Sequence, residues 1–234
     1  MIRMLSDYFV EWWTIIARPI YFYTRLKDES WKEKSLTFLL ISTWLLAAAV
    51  TLAVFIIQYV PIGSTLVEGI TGTKLLIISP VLLTLALAFF MITLLILGGV
   101  MVMAFGAAFY AIGFLLHYTY RLLGGKGNFN RMVQSSFYSG AVILAGVFPA
   151  VFAVLAKYGL LDFSLFRVGY NLIYGLVLLF IYGLWAVAGK KAYNIPKWKA
   201  FTGAVVPVIL LLILGFAFDK IALSKLETWI APLK

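Results

Sequence analysis

Side chains that could carry acid–base or metal chemistry are scarce in this chain, and its acids lie in terminal or loop segments. There is no cysteine and one histidine, His117. The nine carboxylates are Asp7, Glu11, Asp28, Glu29, Glu33, Glu68, Asp162, Asp219 and Glu227. An ion-coupled pump usually places an ionisable group at membrane depth, and acid–base catalysis needs a positioned group of this kind. We therefore predict that the protein is not an enzyme and holds no metal or other cofactor.

The stretch at residues 124–127 (Gly-Gly-Lys-Gly) resembles a phosphate-binding loop only superficially. The G-x-x-x-x-G-K-[ST] pattern requires glycine at position 120 and Ser or Thr at position 127. The chain has Tyr120 and Gly127 at those positions. We interpret the stretch as a flexible turn that presents Lys126 and Arg131.

A few polar residues lie inside otherwise apolar segments. We interpret His117, four residues before Arg121, as an interfacial histidine with a water or carbonyl partner. The alternative is a head-group contact or a proton-handling role. Gln134, Tyr138 and Asn171 either hydrogen-bond helix to helix, at about 0.6–2 kcal/mol each, or line a small groove open to the cytoplasm. The sequence leaves both alternatives open.

The elements that must position these side chains are membrane-spanning helices. Of the 234 residues, 64% are hydrophobic and 12% are charged, whereas a soluble domain is about half apolar and about a quarter charged. Apolar segments of about 20 residues, the length that crosses a bilayer, lie near 36–58, 135–156, 168–188 and 200–218. Pro149 and Pro207 should kink two of these spans. Residues 61–74 are predicted to form a loop, and no cleavable signal peptide is expected.

The segment 75–120 is ambiguous because its 46 residues carry no formal charge. A straight helix of that length would measure roughly 69 Å, twice the hydrocarbon thickness. We therefore expect two spans, or one span plus a re-entrant or interfacial piece, with a break near Gly98-Gly99. Five spans place thirteen of the nineteen basic residues on one side, whereas six spans place only eleven there. The positive-inside rule thus favours five spans over six, with a cytoplasmic N-terminus and an external C-terminus. We predict an all-α integral membrane protein, a bundle of five transmembrane helices (alternatively six).

Residues 1–34 are predicted to form a cytoplasmic segment with an amphipathic helix, and residues 35–234 the transmembrane domain. Polar residues recur every three or four positions from Arg3 to Arg18. The opposite face is apolar and includes Trp12 or Trp13, as in a helix that lies in the membrane interface. Packing against other helices of the protein is the alternative. Pro19 should bend the chain at Arg18.

Three glycines in the long uncharged segment share a spacing. Gly99, Gly106 and Gly113 recur every seven residues and fall on nearly one helix face. Small residues let helices approach closely in lipid, so this pattern predicts a helix-packing seam.

The net charge of +10 would suggest nucleic acid as the partner of a soluble protein. Here the basic residues flank apolar segments, as Arg121, Lys126, Lys190 and Lys191 do. At the cytoplasmic face they should attract anionic lipid head groups at about 1 kcal/mol per residue. We predict membrane lipids as partners, together with a protein in the membrane or a second copy of the chain, and no nucleic acid.

Four motifs follow one another along the chain. They are an aromatic stretch at 18–22 (Arg-Pro-Ile-Tyr-Phe), a turn at 123–129 (Leu-Gly-Gly-Lys-Gly-Asn-Phe), Tyr138-Ser139 and Phe148-Pro149 in one span, and a basic loop at 190–194 (Lys-Lys-Ala-Tyr-Asn). This layout resembles the Ypt-interacting (Yip) family in its bacterial or archaeal branch, over most of the chain. The resemblance implies five spans with a cytoplasmic N-terminus. Eukaryotic members are trafficking factors that contact small GTPases and one another, and some bacterial relatives are associated with export machinery. An accessory role in the inner membrane of a prokaryote is therefore implied.

Two functions fit these observations. The first is a non-enzymatic factor that binds partners or organises the membrane, for transport or trafficking machinery, through its N-terminal helix and basic loops. The alternative is a lipid or small-amphiphile transporter of the scramblase or flippase type, because spans of low polarity suit a lipid groove better than an aqueous channel.

Overall fold

The computed structural model describes residues 2–68, 70 and 72–230, except for the side chains of residues 2–4. Over this range the chain forms helices and no strand. Two short helices, α1 (Ile2–Ala17) and α2 (Pro19–Arg25), come first. They precede five long helical runs: α3 (Lys34–Val67), α4 (Thr73–Leu122), α5 (Phe129–Lys157), α6 (Phe163–Tyr193) and α7 (Lys197–Ile230). Each run is long and apolar enough to cross a membrane, which confirms the all-α membrane bundle with five spans. The side chain of Arg3, part of the predicted polar stripe, lies outside the described residues.

Apart from the loop between α3 and α4, the loops between the long helices gather at two ends of the bundle. We call one the basic end; it comprises residues 25–34, 121–131 and 190–199. Its three segments touch, since Lys199 donates to the carbonyl of Leu123 and Asn128 donates to Asp28. The far end comprises residues 157–167 and 219–230, where Arg167 pairs with Asp219. The core between the two ends is filled by large apolar side chains from α3 to α6, such as Leu39, Leu116, Phe137 and Trp185.

The predicted break near Gly98-Gly99 is wrong, because α4 is one unbroken helix of 50 residues. Gly98 serves close packing, since a Cβ on it would lie 2.3 Å from the indole ring of Trp44. A break in apolar surroundings would also leave backbone N–H and C=O groups without partners, which costs several kcal/mol per group. The glycine pair is therefore tolerated inside a continuous helix.

Helix α3 continues past its predicted end, and helix α7 past the predicted span, each through a π-helical turn. The loop predicted at 61–74 is wrong for residues 61–67, which are helical. Helix α3 passes through the turn Phe55–Tyr59 and continues through Pro61 to Val67. Pro61 is accommodated because it lies in the first turn of the segment that follows, where a missing N–H is tolerated. The span predicted at 200–218 lies inside a longer helix. Helix α7 runs through the turn Asp219–Leu223 to Ile230, so that Asp219 lies in a helix and not in a loop.

Helix α5 departs from α-helical geometry in its middle. The segment Gly140–Gly146 is a 3₁₀-helix between two α-helical segments. Pro149 follows closely and has no N–H to donate to the carbonyl of residue 145. The irregularity lies just before Pro149, where the sequence predicted a kink. Helix α7 is continuous through Pro207.

The predicted glycine seam is only partly formed within the chain. A Cβ added to Gly99 or Gly106 would meet no atom outside its own helix turn within 4 Å, so these two glycines make no close helix contact. Gly113 does, because a Cβ there would lie 2.9 Å from the Cα of Val133. The close contacts of α4 fall at Gly98 and Gly113, on the side that faces α3 and α5.

Candidate functional site at the basic end

The basic end is built on a tyrosine that joins three helices. Tyr120, near the end of α4, is completely buried. Its hydroxyl lies 2.9 Å from the carbonyl oxygen of Trp185 in α6 and 3.1 Å from that of Ala200 in α7. Its ring fills the space beside Gly189 and Gly203, where an added Cβ would come within 2.2 and 2.4 Å of ring carbons. These contacts fix the ends of α4, α6 and α7 relative to one another.

A second buried tyrosine, Tyr193, holds the turn at residues 123–128. A Cβ on Gly125 or Gly127 would lie 2.8 and 2.6 Å from carbon atoms of Tyr193, so both glycines are required by packing. The backbone N–H of Lys126 also donates to the carbonyl of Tyr193. The turn is thus packed against a ring, contrary to the flexible turn predicted, and its glycines serve an aromatic contact and not a phosphate.

His117 is enclosed beneath this turn. It is 7% exposed, and its Nδ1 forms a hydrogen bond with the hydroxyl of Tyr193. Its ring packs edge-on against Phe129, with ring centres 5.3 Å apart. The partner is a tyrosine hydroxyl and not the predicted water or carbonyl, and the enclosed position gives no support to a head-group contact.

Two side chains fasten the loops of the basic end to each other. The ammonium group of Lys199 donates to the carbonyl of Leu123 at 2.8 Å. Asn128 caps α5 by accepting from the N–H of Asn130 at 3.1 Å, and its amide donates to Asp28 at 3.4 Å. Sequence reasoning missed Tyr120 and Lys199 as anchors, because their partners lie 65–80 residues away. The position of Asn128 just before an apolar segment was a usable capping signal.

The predicted basic residues surround this framework. Arg121, Lys126 and Lys191 are exposed, and Arg131 and Lys190 are half-buried. Neither of the two salt bridges among the described residues involves any of them. Their charge is therefore available to a ligand outside the chain.

The N-terminal helix α1 is docked on the bundle by one face. Tyr8 shares a hydrogen bond of 2.8 Å with Ser42 in α3, and the indole N–H of Trp12 donates to the carbonyl of Ala141 in the 3₁₀ segment at 2.9 Å. Trp13, in contrast, is 63% exposed. One face of α1 thus packs on protein, as in the alternative stated for this helix, while an apolar face with Trp13 remains exposed. Its location in the membrane interface stays a prediction.

The chain bends between α1 and α2, as Pro19 predicts. Arg18 is exposed and leaves the helical region at φ −139° and ψ 56°, and Pro19 begins α2. Tyr23 then donates to the carbonyl of Ser135 at 3.3 Å, which ties α2 to α5.

In α1, partial burial raises the pKa of the Glu11 carboxyl, against the opposing effect of nearby Lys34.

The polar residues predicted inside the spans separate into two groups. Gln134 is 2% exposed, and its Oε1 accepts no hydrogen bond from the described residues. Tyr138 is also buried and packs against the rings of Phe22 and Phe38, with ring centres 4.9 and 5.2 Å away. Asn171 lies at the far end, where it donates to Asp219 at 3.2 Å. Asn171 thus bonds helix to helix and shares no groove with Gln134.

An apolar groove lies between α1, the 3₁₀ segment of α5 and α6. Its volume is about 540 Å³, and its lining includes Trp12, Ile16, Phe148, Leu176 and Phe180. Pockets for small molecules range from about 300 to 1,000 Å³. The groove could therefore accept part of an acyl chain.

The comparisons with known proteins agree with this architecture. Residues 13–218 match the Yip1 domain. The matched range begins in α1 and ends in α7, so it includes the elements that build the basic end. No curated protein and no solved structure matches the chain significantly.

Proposed function

Because the chain belongs to the Yip1 domain family, we propose that it is a non-enzymatic membrane protein whose basic end binds anionic head groups and a protein partner. In this role it is an accessory or membrane-organising factor for transport or trafficking machinery. The observation that carries the proposal is the framework of Tyr120 and Tyr193. It holds the loops at 121–131 and 190–199 in one arrangement, and exposed cations without salt-bridge partners surround it.

We place the basic end in the cytoplasm, with the N-terminus on the same side and the C-terminus outside. The excess of Lys and Arg on this end supports that orientation. The inner membrane of a prokaryote is the proposed location. Anionic lipids would be attracted by about 1 kcal/mol for each basic residue near the surface, and the exposed Trp13 of α1 would contact the same interface.

The protein partner in this proposal is another membrane protein or a second copy of the chain. A fixed array of cations favours partners that present carboxylates or phosphates at the membrane surface. Nucleic acid is not proposed, because the cations lie at the ends of apolar helices, within reach of lipid head groups.

The test compares two double variants that remove equal charge from opposite ends. K126A/K191A removes two exposed cations from the basic end, and K220A/K225A removes two exposed cations from α7 at the far end. Both proteins are purified in mild detergent, and the retained anionic phospholipid is measured by mass spectrometry at low and high salt. At about 1 kcal/mol per residue, K126A/K191A should bind anionic lipid up to roughly thirtyfold more weakly. Equal retention by the two variants would refute the lipid half of the proposal.

A lipid or small-amphiphile transporter is the second candidate, and the apolar groove beside Trp12 and Phe180 favours it. A scrambling assay with fluorescent lipid in sealed vesicles tests it. Activity that L176W abolishes by filling the groove would place this function first, whereas vesicles with protein that scramble no faster than empty ones would remove it.

A further inference from the structure

The helical hairpin at the far end extends beyond the part of the bundle in which helices pack together. We call residues 58–67 and 73–97 the distal hairpin. Ile57 and Gly98, at its base, are buried, but none of the described residues from 58 to 97 is. The hydroxyl of Tyr158, just after α5, donates to the carbonyl of Ile56 at 3.2 Å, so α5 ends level with the base of the hairpin.

Helix lengths show that lipid around the bundle cannot also cover the distal hairpin. From Gly98 to Arg121, α4 measures about 35 Å, which already exceeds the hydrocarbon thickness of about 30 Å. Lys74 lies about 36 Å further along the same helix. Because α4 is continuous through Gly98, the two halves point in one direction, and the distal half needs another cover.

The surface of the distal hairpin is almost entirely apolar. Fifteen large apolar side chains between Val60 and Ile96 are 38–75% exposed. The hydroxyls of Ser64, Thr65, Ser79 and Thr84 donate to carbonyls of their own helices, so they offer little to water. At about 100 Å² for each exposed side chain, the hairpin presents roughly 1,500 Å² of apolar surface. The largest apolar patch of a soluble monomer is about 300–600 Å².

We propose that the distal hairpin is a homodimer interface, covered by the hairpin of a second copy inserted in the same direction. A stable interface needs about 800 Å² from each partner, which is about half of the surface available. A groove of about 670 Å³ between the two helices, lined by Tyr59, Leu66, Pro80 and Phe89 among others, offers recesses for the partner's side chains.

Charge at the tip of the hairpin favours a second copy over other partners. Glu68 and Lys74 are both exposed and form no salt bridge within the described chain. They are the only formal charges between Lys34 and Arg121. Two copies inserted in the same direction hold their tips at the same height, so Glu68 of each can face Lys74 of the other. The tip is thus self-complementary, and no like charges oppose pairing.

The homodimer specifies the protein partner of the proposed function and in that sense rests on it. Its interface lies at the end of the molecule opposite the basic end. If the protein proves to be a single copy, the lipid measurement on K126A/K191A still tests the basic end. If that lipid measurement fails, crosslinking still tests the distal hairpin.

The cysteine-free chain allows a direct crosslinking test. L83C in the distal hairpin and L179C in α6 replace leucines that are 72% and 70% exposed. In vesicles at a low protein-to-lipid ratio, treated with bis-maleimides of several lengths, L83C should crosslink into dimers and L179C should stay monomeric. Equal crosslinking of the two variants would overturn the proposal, because it would indicate random collision.

Counting copies by single-molecule photobleaching provides an independent readout. The wild type should show two copies and L76D/L83D one, with unchanged helicity by circular dichroism because neither leucine packs on the bundle. E68K should weaken dimerisation two- to fivefold, as expected for an exposed ion pair, and E68K/K74E should restore it. A wild type that is a single copy overturns the proposal, as does a dimer that E68K leaves unchanged.

Discussion

The replacement G189A adds one methyl group where α6 meets the ring of Tyr120. The new Cβ would lie 2.2 Å from Cζ and 2.6 Å from the hydroxyl oxygen of that tyrosine, whereas non-bonded carbons approach to about 3.5 Å. The ring has no room to retreat, since its other edge already fills the space beside Gly203. The ring must therefore move by about 1 Å, or α6 must move away from α4.

Both responses have a cost that can be estimated. Overpacking of this kind typically destabilises a protein by about 1–3 kcal/mol. Movement of the ring also weakens the hydrogen bonding of the Tyr120 hydroxyl to Trp185 and Ala200, at about 0.6 kcal/mol for each contact in a membrane protein. The free energy of unfolding should fall by about 2–4 kcal/mol in total.

The measurement is a denaturant titration in mixed micelles, with G183A as the control. Gly183 lies six residues earlier in the same helix and has nothing within 4 Å of its Cβ position. G183A should be neutral or stabilising by up to about 1 kcal/mol, since alanine favours helix over glycine. In a Y120L background G189A should cost much less, because the obstructing ring is gone. Equal stability of G189A and G183A would refute the framework assigned to Tyr120.

Three further predictions concern the turn, the far end and α1. G127A places a Cβ 2.6 Å from the ring of Tyr193, so it should displace the turn and lower anionic lipid binding, in the same direction as expected for K126A/K191A; unchanged binding would contradict this. R167K loses the paired hydrogen bonds to Asp219, so hydrogen exchange should accelerate in residues 219–230 and not elsewhere in α7. The raised pKa of Glu11 means that the folded state binds its proton more tightly than the unfolded state. Thermal stability should therefore fall as pH rises from the carboxyl's ordinary pKa through the raised value, and E11Q should flatten that slope; an unchanged slope would refute the assignment.

The spans were predictable from the sequence because length and hydropathy act locally. The apolar segments near 36–58, 135–156, 168–188 and 200–218 all lie inside long helices of the structure. The distribution of Lys and Arg also favoured a single crossing for 75–120, and α4 is one helix. These signals need no knowledge of which helices touch.

The two errors about glycines, the break at Gly98 and the packing positions at Gly99 and Gly106, depend on long-range contacts. Glycine is a helix breaker in water, but Gly98 lies under the ring of Trp44 and the backbone around it keeps its hydrogen bonds. The seven-residue spacing suggested Gly99 and Gly106 as packing positions, yet close packing against Tyr120 occurs at Gly189 and Gly203. Their spacing carries no periodic signal, because the ring that selects them comes from a different helix.

The candidate site was predictable in its charges and not in its framework. Lys126 and Lys191 are exposed at the basic end, as residues flanking apolar segments usually are. The turn between α4 and α5 was expected to be flexible because glycines are abundant in it. Contact with Tyr193, which no local pattern indicates, gives those glycines a packing role.

Cysteine accessibility in sealed vesicles of known orientation tests the central claim, that α4 crosses the membrane once and leaves the basic end on one side. Single cysteines at Lys74, Lys126 and Lys191 are labelled with a membrane-impermeant maleimide before and after permeabilisation. The structure predicts that K126C and K191C react from one side and K74C from the opposite side. Labelling of K74C and K126C from the same side would contradict the single crossing.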